Sequence, residues 1–213
     1  MAMRIFSLLA GLLVAAAFNS FAFADDAGVT TISPVYSELV AFSLPSGFET
    51  VHQNAGEKSY IREAVLKGET VDKWTQMVTV TGASDMAHLP NVTPESAAGG
   101  IAVGYQAACP ASFVGGNIKH ITISGHDALL TYVSCGNTTA ITGTSHSESL
   151  LLITVIGKED LYTLQWAERG PASDTPVKFD TDKWVGRFKN LLPIKFCPIV
   201  KGEKPPYPSC VGK

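Results

Sequence analysis

The residues of this 213-residue chain that could do chemistry are few: five histidines, four cysteines and scattered carboxylates. One pentapeptide, Gly143-Thr144-Ser145-His146-Ser147, sets a serine hydroxyl beside an imidazole. A hydrolase elbow needs glycine on both sides of the serine, so that a strand can turn sharply into a helix. Here the fifth position is Ser147, and a strand-like pattern follows. The segment reads as a polar loop, with Ser145 and His146 as the groups a hydrolase would have to use.

His52, His88, His120, His126 and His146 show no His-x-His or His-x-x-x-His spacing. His120 and His126 flank the Ser124-Gly125 turn and could meet across a hairpin, with Asp127 as a third metal ligand. Two solvated hairpin histidines are the simpler reading. Arg62 and Glu63 are adjacent in a strand pattern, so they face opposite ways and cannot pair. Glu148, Glu159, Asp160 and Glu168 lack the spacing of paired glycosidase carboxylates. No catalytic, cofactor-binding or metal residue is assigned, and no cofactor is expected.

The cysteines, Cys109, Cys135, Cys197 and Cys210, are even in number and include no Cys-x-x-Cys. That excludes the usual redox and zinc-knuckle spacings and favours two disulfides formed outside the cytoplasm. Pairing sequence neighbours gives Cys109–Cys135 and Cys197–Cys210; loops of that size contribute roughly 3.5 and 3 kcal/mol in a chain-entropy account.

The beginning of the chain agrees with that compartment. Arg4 precedes an apolar run from Ile5 to Phe18, and Ala22-Phe23-Ala24 supplies the small-x-small exit of a signal peptide. The expectation is a signal peptide over 1–24, cleaved after Ala24, and a periplasmic or secreted product. The run is about 14 residues, short of the roughly 20 that a membrane-spanning helix needs. Stable membrane insertion after cleavage is not expected. The formal net charge of −3 and the absence of a polybasic stretch argue against nucleic acid as a partner.

The elements that must position these groups read as follows. Residues 25–38 resemble a flexible lead-in. Leu39–Leu44 is apolar and stops at Pro45-Ser46-Gly47. Phe48–His52 and Ser59–Leu66 flank a hairpin turn at Asn54-Ala55-Gly56. Trp74–Thr81 alternates with period two, placing Trp74, Gln76, Val78 and Val80 on one face. Thr93-Pro94-Glu95 opens a helix that runs to about Cys109-Pro110, its small residues suited to close packing on a sheet. Ile118–Ile123 and Asp127–Cys135 form a second hairpin. Leu150–Ile156 is apolar on both faces, as in a central strand. Leu161–Arg169 alternates. Asp180-Thr181-Asp182 opens a last helix with Trp184, Phe188, Leu191 and Leu192 as its buried stripe. The tail, 198–213, is rich in proline and expected to be irregular, pinned by Cys197–Cys210.

These elements imply one α+β domain over 39–197: a mostly antiparallel sheet with two helices packed on one face. The layout resembles the Mog1/PsbP-like fold, including uncharacterised bacterial exported proteins built on it. The residues that carry the likeness are Leu44-Pro45-x-Gly47-Phe48, Glu69-Thr70-x-x-x-Trp74-Thr75-x-Met77-Val78-Thr79-Val80, Asp160–Trp166 and the helix with Trp184. The resemblance implies a scaffold and a binding or accessory role, with no shared active site.

Asn91-Val92-Thr93 and Asn137-Thr138-Thr139 match the glycosylation sequon, which means little on a bacterial export route. Tyr36, Tyr105 and Tyr207 are the aromatics least clearly assigned to the core. The expectation is an exported, soluble, non-enzymatic binding or accessory protein of the bacterial envelope, with an unknown envelope protein or small ligand as partner. The alternatives are a secreted hydrolase using Ser145 or His146, and a secreted inhibitor or host-directed factor whose contact element is the tail.

Overall fold

The structure is a computed structural model that describes residues 28–139 and 144–212, so the expected signal segment lies outside the described residues. The elements run β1 (Val29–Val35), β2 (Glu38–Leu44), β3 (Phe48–Ala55), β4 (Ser59–Leu66), β5 (Gln76–Ala83), α1 (Pro94–Ala108), β6 (Phe113–Ile123) and β7 (His126–Thr139). They continue with β8 (Ser145–Ile156), β9 (Leu161–Gly170), α2 (Thr181–Leu191), β10 (Lys195–Pro198) and α3 (Pro208–Val211). Seven strands form one sheet in the order β3-β4-β5-β9-β8-β7-β6, and β1-β2-β10 form a second. Every pairing is antiparallel.

Strand alternation explains the layering. On β8, Leu151, Ile153 and Val155 point one way while Leu150 and Leu152 point the other, and all five are buried. The first set packs with Val78, Val80, Leu130, Leu164 and Trp166 against Val40 and Phe42 of the small sheet and Leu191 of α2. The second set packs with Leu129, Val133 and Met77 against Ala98 of α1. The α+β class and antiparallel sheet are as the sequence implies. The helix placement is different: α1 covers one face, and α2 with the small sheet covers the other. A pattern of apolar positions gives a helix a buried stripe but does not say which side of a two-sided sheet receives it.

Three further expectations change. The lead-in over 25–38 is a strand from Val29, paired with β2 along its length. Pro34 is tolerated because β1 is an edge strand, where a missing N–H breaks no interior ladder. The tail is not wholly irregular, since α3 closes it and Cys210 is buried against Leu39 and Ala41. Trp74 lies before β5 begins, so strand alternation does not govern it, and it packs on the α1 face instead of with Val78 and Val80.

Both helices start as the residues dictate. Thr93 caps α1 in a reciprocal pair with Ser96, with Pro94 in the first turn. Gly99, Gly100 and Gly104 face open space, so close approach to the sheet rests on Ala98. Asp180 caps α2 by accepting from the Lys183 amide. Trp184 and Leu191 are buried, but Leu192 is the C-cap and 43 % exposed. Two disulfides, Cys109–Cys135 and Cys197–Cys210, join sequence neighbours at Cα–Cα distances of 5.7 and 5.6 Å.

Candidate functional site

Two clusters built around carboxylates stand out in the interior. The first lies where the small sheet meets the large one. The Asp160 carboxylate accepts from the Ser37 amide (3.0 Å), the Ser37 hydroxyl (2.5 Å), the Tyr162 hydroxyl (3.0 Å) and the Asp85 amide (2.8 Å). Burial alone would push Asp160 up, but these donors outweigh it and hold the carboxyl below the ordinary aspartate value. Beside it, Glu38 is 5 % exposed and pairs with His126 Nε2 at 2.8 Å while accepting from the Lys158 amide. Burial raises the Tyr162 phenol, which stays a donor. Each buried acid is matched, so the cluster clamps the two sheets together.

The second cluster lies on the α1 face, near the end of that helix. Glu148 accepts from the Tyr105 hydroxyl at 2.6 Å and from Arg169 Nε at 2.9 Å. The Arg169 guanidinium also sits 3.7 Å from the Trp74 ring centroid, a cation–π contact. Burial, then the nearby Glu148 charge and hydrogen bond, push Tyr105 well above the usual phenol range, so it holds its proton. His146 Nδ1 lies 3.0 Å from the Thr144 carbonyl, the geometry of an Nδ1–H donor. Its Nε2 is buried without a hydrogen-bond partner, 3.5 Å from Glu148. The first cluster has no such gap.

Cys135 is the cross-strand partner of Glu148 and carries the disulfide to Cys109, the C-cap of α1. Cys109 also borders a cavity of about 410 Å³, lined by Ala108, Cys109, Pro110, Ala111, Ser112, Asn137 and Asp174. Its framework is fixed by backbone bonds. Ser112 accepts from the Asn137 amide through its hydroxyl and from the Gly136 amide through its carbonyl. Gly136 has to be glycine: a Cβ there would collide with the carbonyls of Ser173 and Thr175. That close approach brings Asp174 over the cavity, where it accepts from Asn137 Nδ2 at 3.3 Å. The wall is therefore two alanines, a proline and a disulfide, with one hydroxyl, one amide and one carboxylate. Such groups bind and orient, but none is a nucleophile poised against a base.

The other residues singled out in the sequence are dispersed. Ser145 is exposed, and both ring nitrogens of His146 are directed elsewhere, so no serine–imidazole relay forms. His120 lies on the α1 face, bridged to Glu95, and His126 on the small-sheet face, paired with Glu38. The sheet separates them, because strand alternation places even neighbours of a hairpin on sides set by register. Among the described residues no group of three His, Cys, Asp or Glu is arranged to hold a metal ion. Arg62 turns toward the small sheet, donating to Ser33 and Thr31, while Glu63 faces the other way. Glu159 meets His88, and Glu168 meets Lys183 and Arg187. Tyr36 donates to the Gly56 carbonyl, and Tyr207 packs against the cluster of Leu39, Ala41 and Cys210. The cavity residues carried no signal in the sequence beyond Asn137 and the cysteines.

No protein-family model and no curated protein matches the chain. Solved structures similar to it include a protein from Bacteroides thetaiotaomicron VPI-5482, at TM-score 0.41 and 12 % identity, covering 84 % of this chain. The chain spans 51 % of that protein's length. The Saccharomyces cerevisiae Ran-binding protein Mog1p matches at TM-score 0.39 and 9 % identity, over 78 % of this chain and 86 % of Mog1p. LpqN, involved in cell envelope biogenesis of Mycobacterium tuberculosis, matches at 0.35 and 10 %, over 82 % and 88 %.

Proposed function

We propose that this chain is an exported, non-enzymatic binding or accessory protein of the bacterial envelope, and that the cavity at the end of α1 is its ligand site. The observation that carries the reading is the cavity wall itself: a disulfide, small apolar side chains and three polar groups, with no activated nucleophile. Two disulfides fit an oxidising compartment. Among the described residues no helix is long and apolar enough to cross a membrane. The signal-like pattern of residues 1–24 supports the export part of this reading.

A thermal-shift panel of amines, amino acids, sugars and short peptides tests this reading on the purified mature protein. The expected result is stabilisation by one class, recovery of that compound unchanged, and loss of the effect in Ala111→Trp, which fills the cavity. Conversion of a panel compound by the pure protein would overturn it, as would stabilisation that survives the filled cavity.

A further inference from the structure

The chemistry of the cavity rim points to the charge of its occupant. This step rests on the cavity being a ligand site and adds the class of ligand. A helix accumulates partial negative charge at its last carbonyls, and proteins commonly answer it with a basic side chain in the last turn. The two long helices among the described residues differ in that respect: α2 carries Lys189 in its last turn, and α1 carries no basic residue there. Ala108, the last residue of α1, and Cys109, its C-cap, line the cavity. The empty volume therefore adjoins the helix end that lacks a cation.

Asp174 adds a full negative charge at the same place. Among the described residues only its Oδ1 is engaged, by a neutral amide, Asn137 Nδ2 at 3.3 Å. Among the described residues no cationic side chain lines the cavity. The basic group of the neighbouring cluster, Arg169, is bound to Glu148 and stacked on Trp74. The rest of the wall is aliphatic, from Ala108, Pro110 and Ala111. One uncompensated carboxylate, one helix C-terminus and an apolar floor match a molecule with a cationic head and a short apolar body.

We propose that the cavity binds a small organic ammonium ion, its head between Asp174 and the end of α1 and its carbon chain on the alanine–proline wall. Asp174 is exposed, so the contact is screened by salt and the affinity is modest.

Calorimetric titration of the full mature protein with hexylammonium, hexanol and hexanoate tests this. Hexylammonium is expected to bind about tenfold more tightly than the neutral isostere, with hexanoate weakest. Asp174→Asn, on the surface and harmless to folding, is expected to erase that preference, and added salt to reduce it. Equal binding of all three probes, abolished by Ala111→Trp, would overturn the ammonium assignment and leave the cavity as the site. No binding of any probe, or binding indifferent to Ala111→Trp, would overturn both.

Discussion

The two interior polar clusters use the same side-chain types and end in opposite states. Around Asp160 and Glu38, each carboxylate has its donors, and His126 completes the set. Around Glu148, tyrosine and arginine supply the donors, while His146 Nε2 makes no hydrogen bond and stands 3.5 Å from the carboxylate. A buried polar group left unpaired costs more than a paired one returns. The closed cluster is what a chain does to hold two sheets together. The second cluster adjoins the Cys109–Cys135 disulfide through Glu148, the cross-strand neighbour of Cys135.

Substitutions can break or sharpen this contrast. The largest effect is expected from Asp160→Ala, which strands the Ser37 and Asp85 amides and two hydroxyls; urea unfolding should show a loss of about 3–4 kcal/mol. The same residue sets an acid limb. Its carboxyl is held below the ordinary value in the folded state, so its stabilisation is complete above about pH 4, the unfolded value, and fades as pH falls through the folded one. In Asp160→Asn that part of the acid slope should disappear.

His126→Leu comes next, at about 2–3 kcal/mol, because Glu38 would be left buried without its partner. Glu148→Gln keeps its shape and an acceptor for Tyr105, and should cost about 1 kcal/mol through the weakened Arg169 contact. The smallest effect is expected from His146→Leu, within about 0.5 kcal/mol of the parent, since its Nε2 makes no hydrogen bond and stands 3.5 Å from Glu148, against 2.8 Å between His126 and Glu38. If the two histidine variants cost the same, the contrast between the clusters fails.

The sequence announced some of this and hid the rest for identifiable reasons. Thr93-Pro94 marks the start of α1 because an N-cap and a proline are local signals. Leu150–Ile156 reads as central because both of its faces are apolar. The cysteine pairing follows from proximity along the chain. By contrast, β1 mixes threonine, serine and proline with its few apolar residues, and pairing with β2 is what makes it a strand. The four residues of β10 are too few to show a period. The division of α1 and α2 between two faces depends on the crossover from β5 to β6, which no local pattern encodes. The cavity is least legible of all. Ala108, Asn137 and Asp174 are ordinary residues far apart in sequence, brought together by a disulfide and by the close approach that Gly136 permits.

Amide chemical-shift mapping on isotope-labelled mature protein, titrated with hexylammonium, tests the central claim most directly. The account predicts that the shifts concentrate at Ala108, Cys109, Ala111, Ser112, Asn137 and Asp174, with the amides of Ser37, Asp85 and Lys158 unmoved. Shifts centred on the junction of the two sheets, or spread over the surface without a focus at the end of α1, would contradict it.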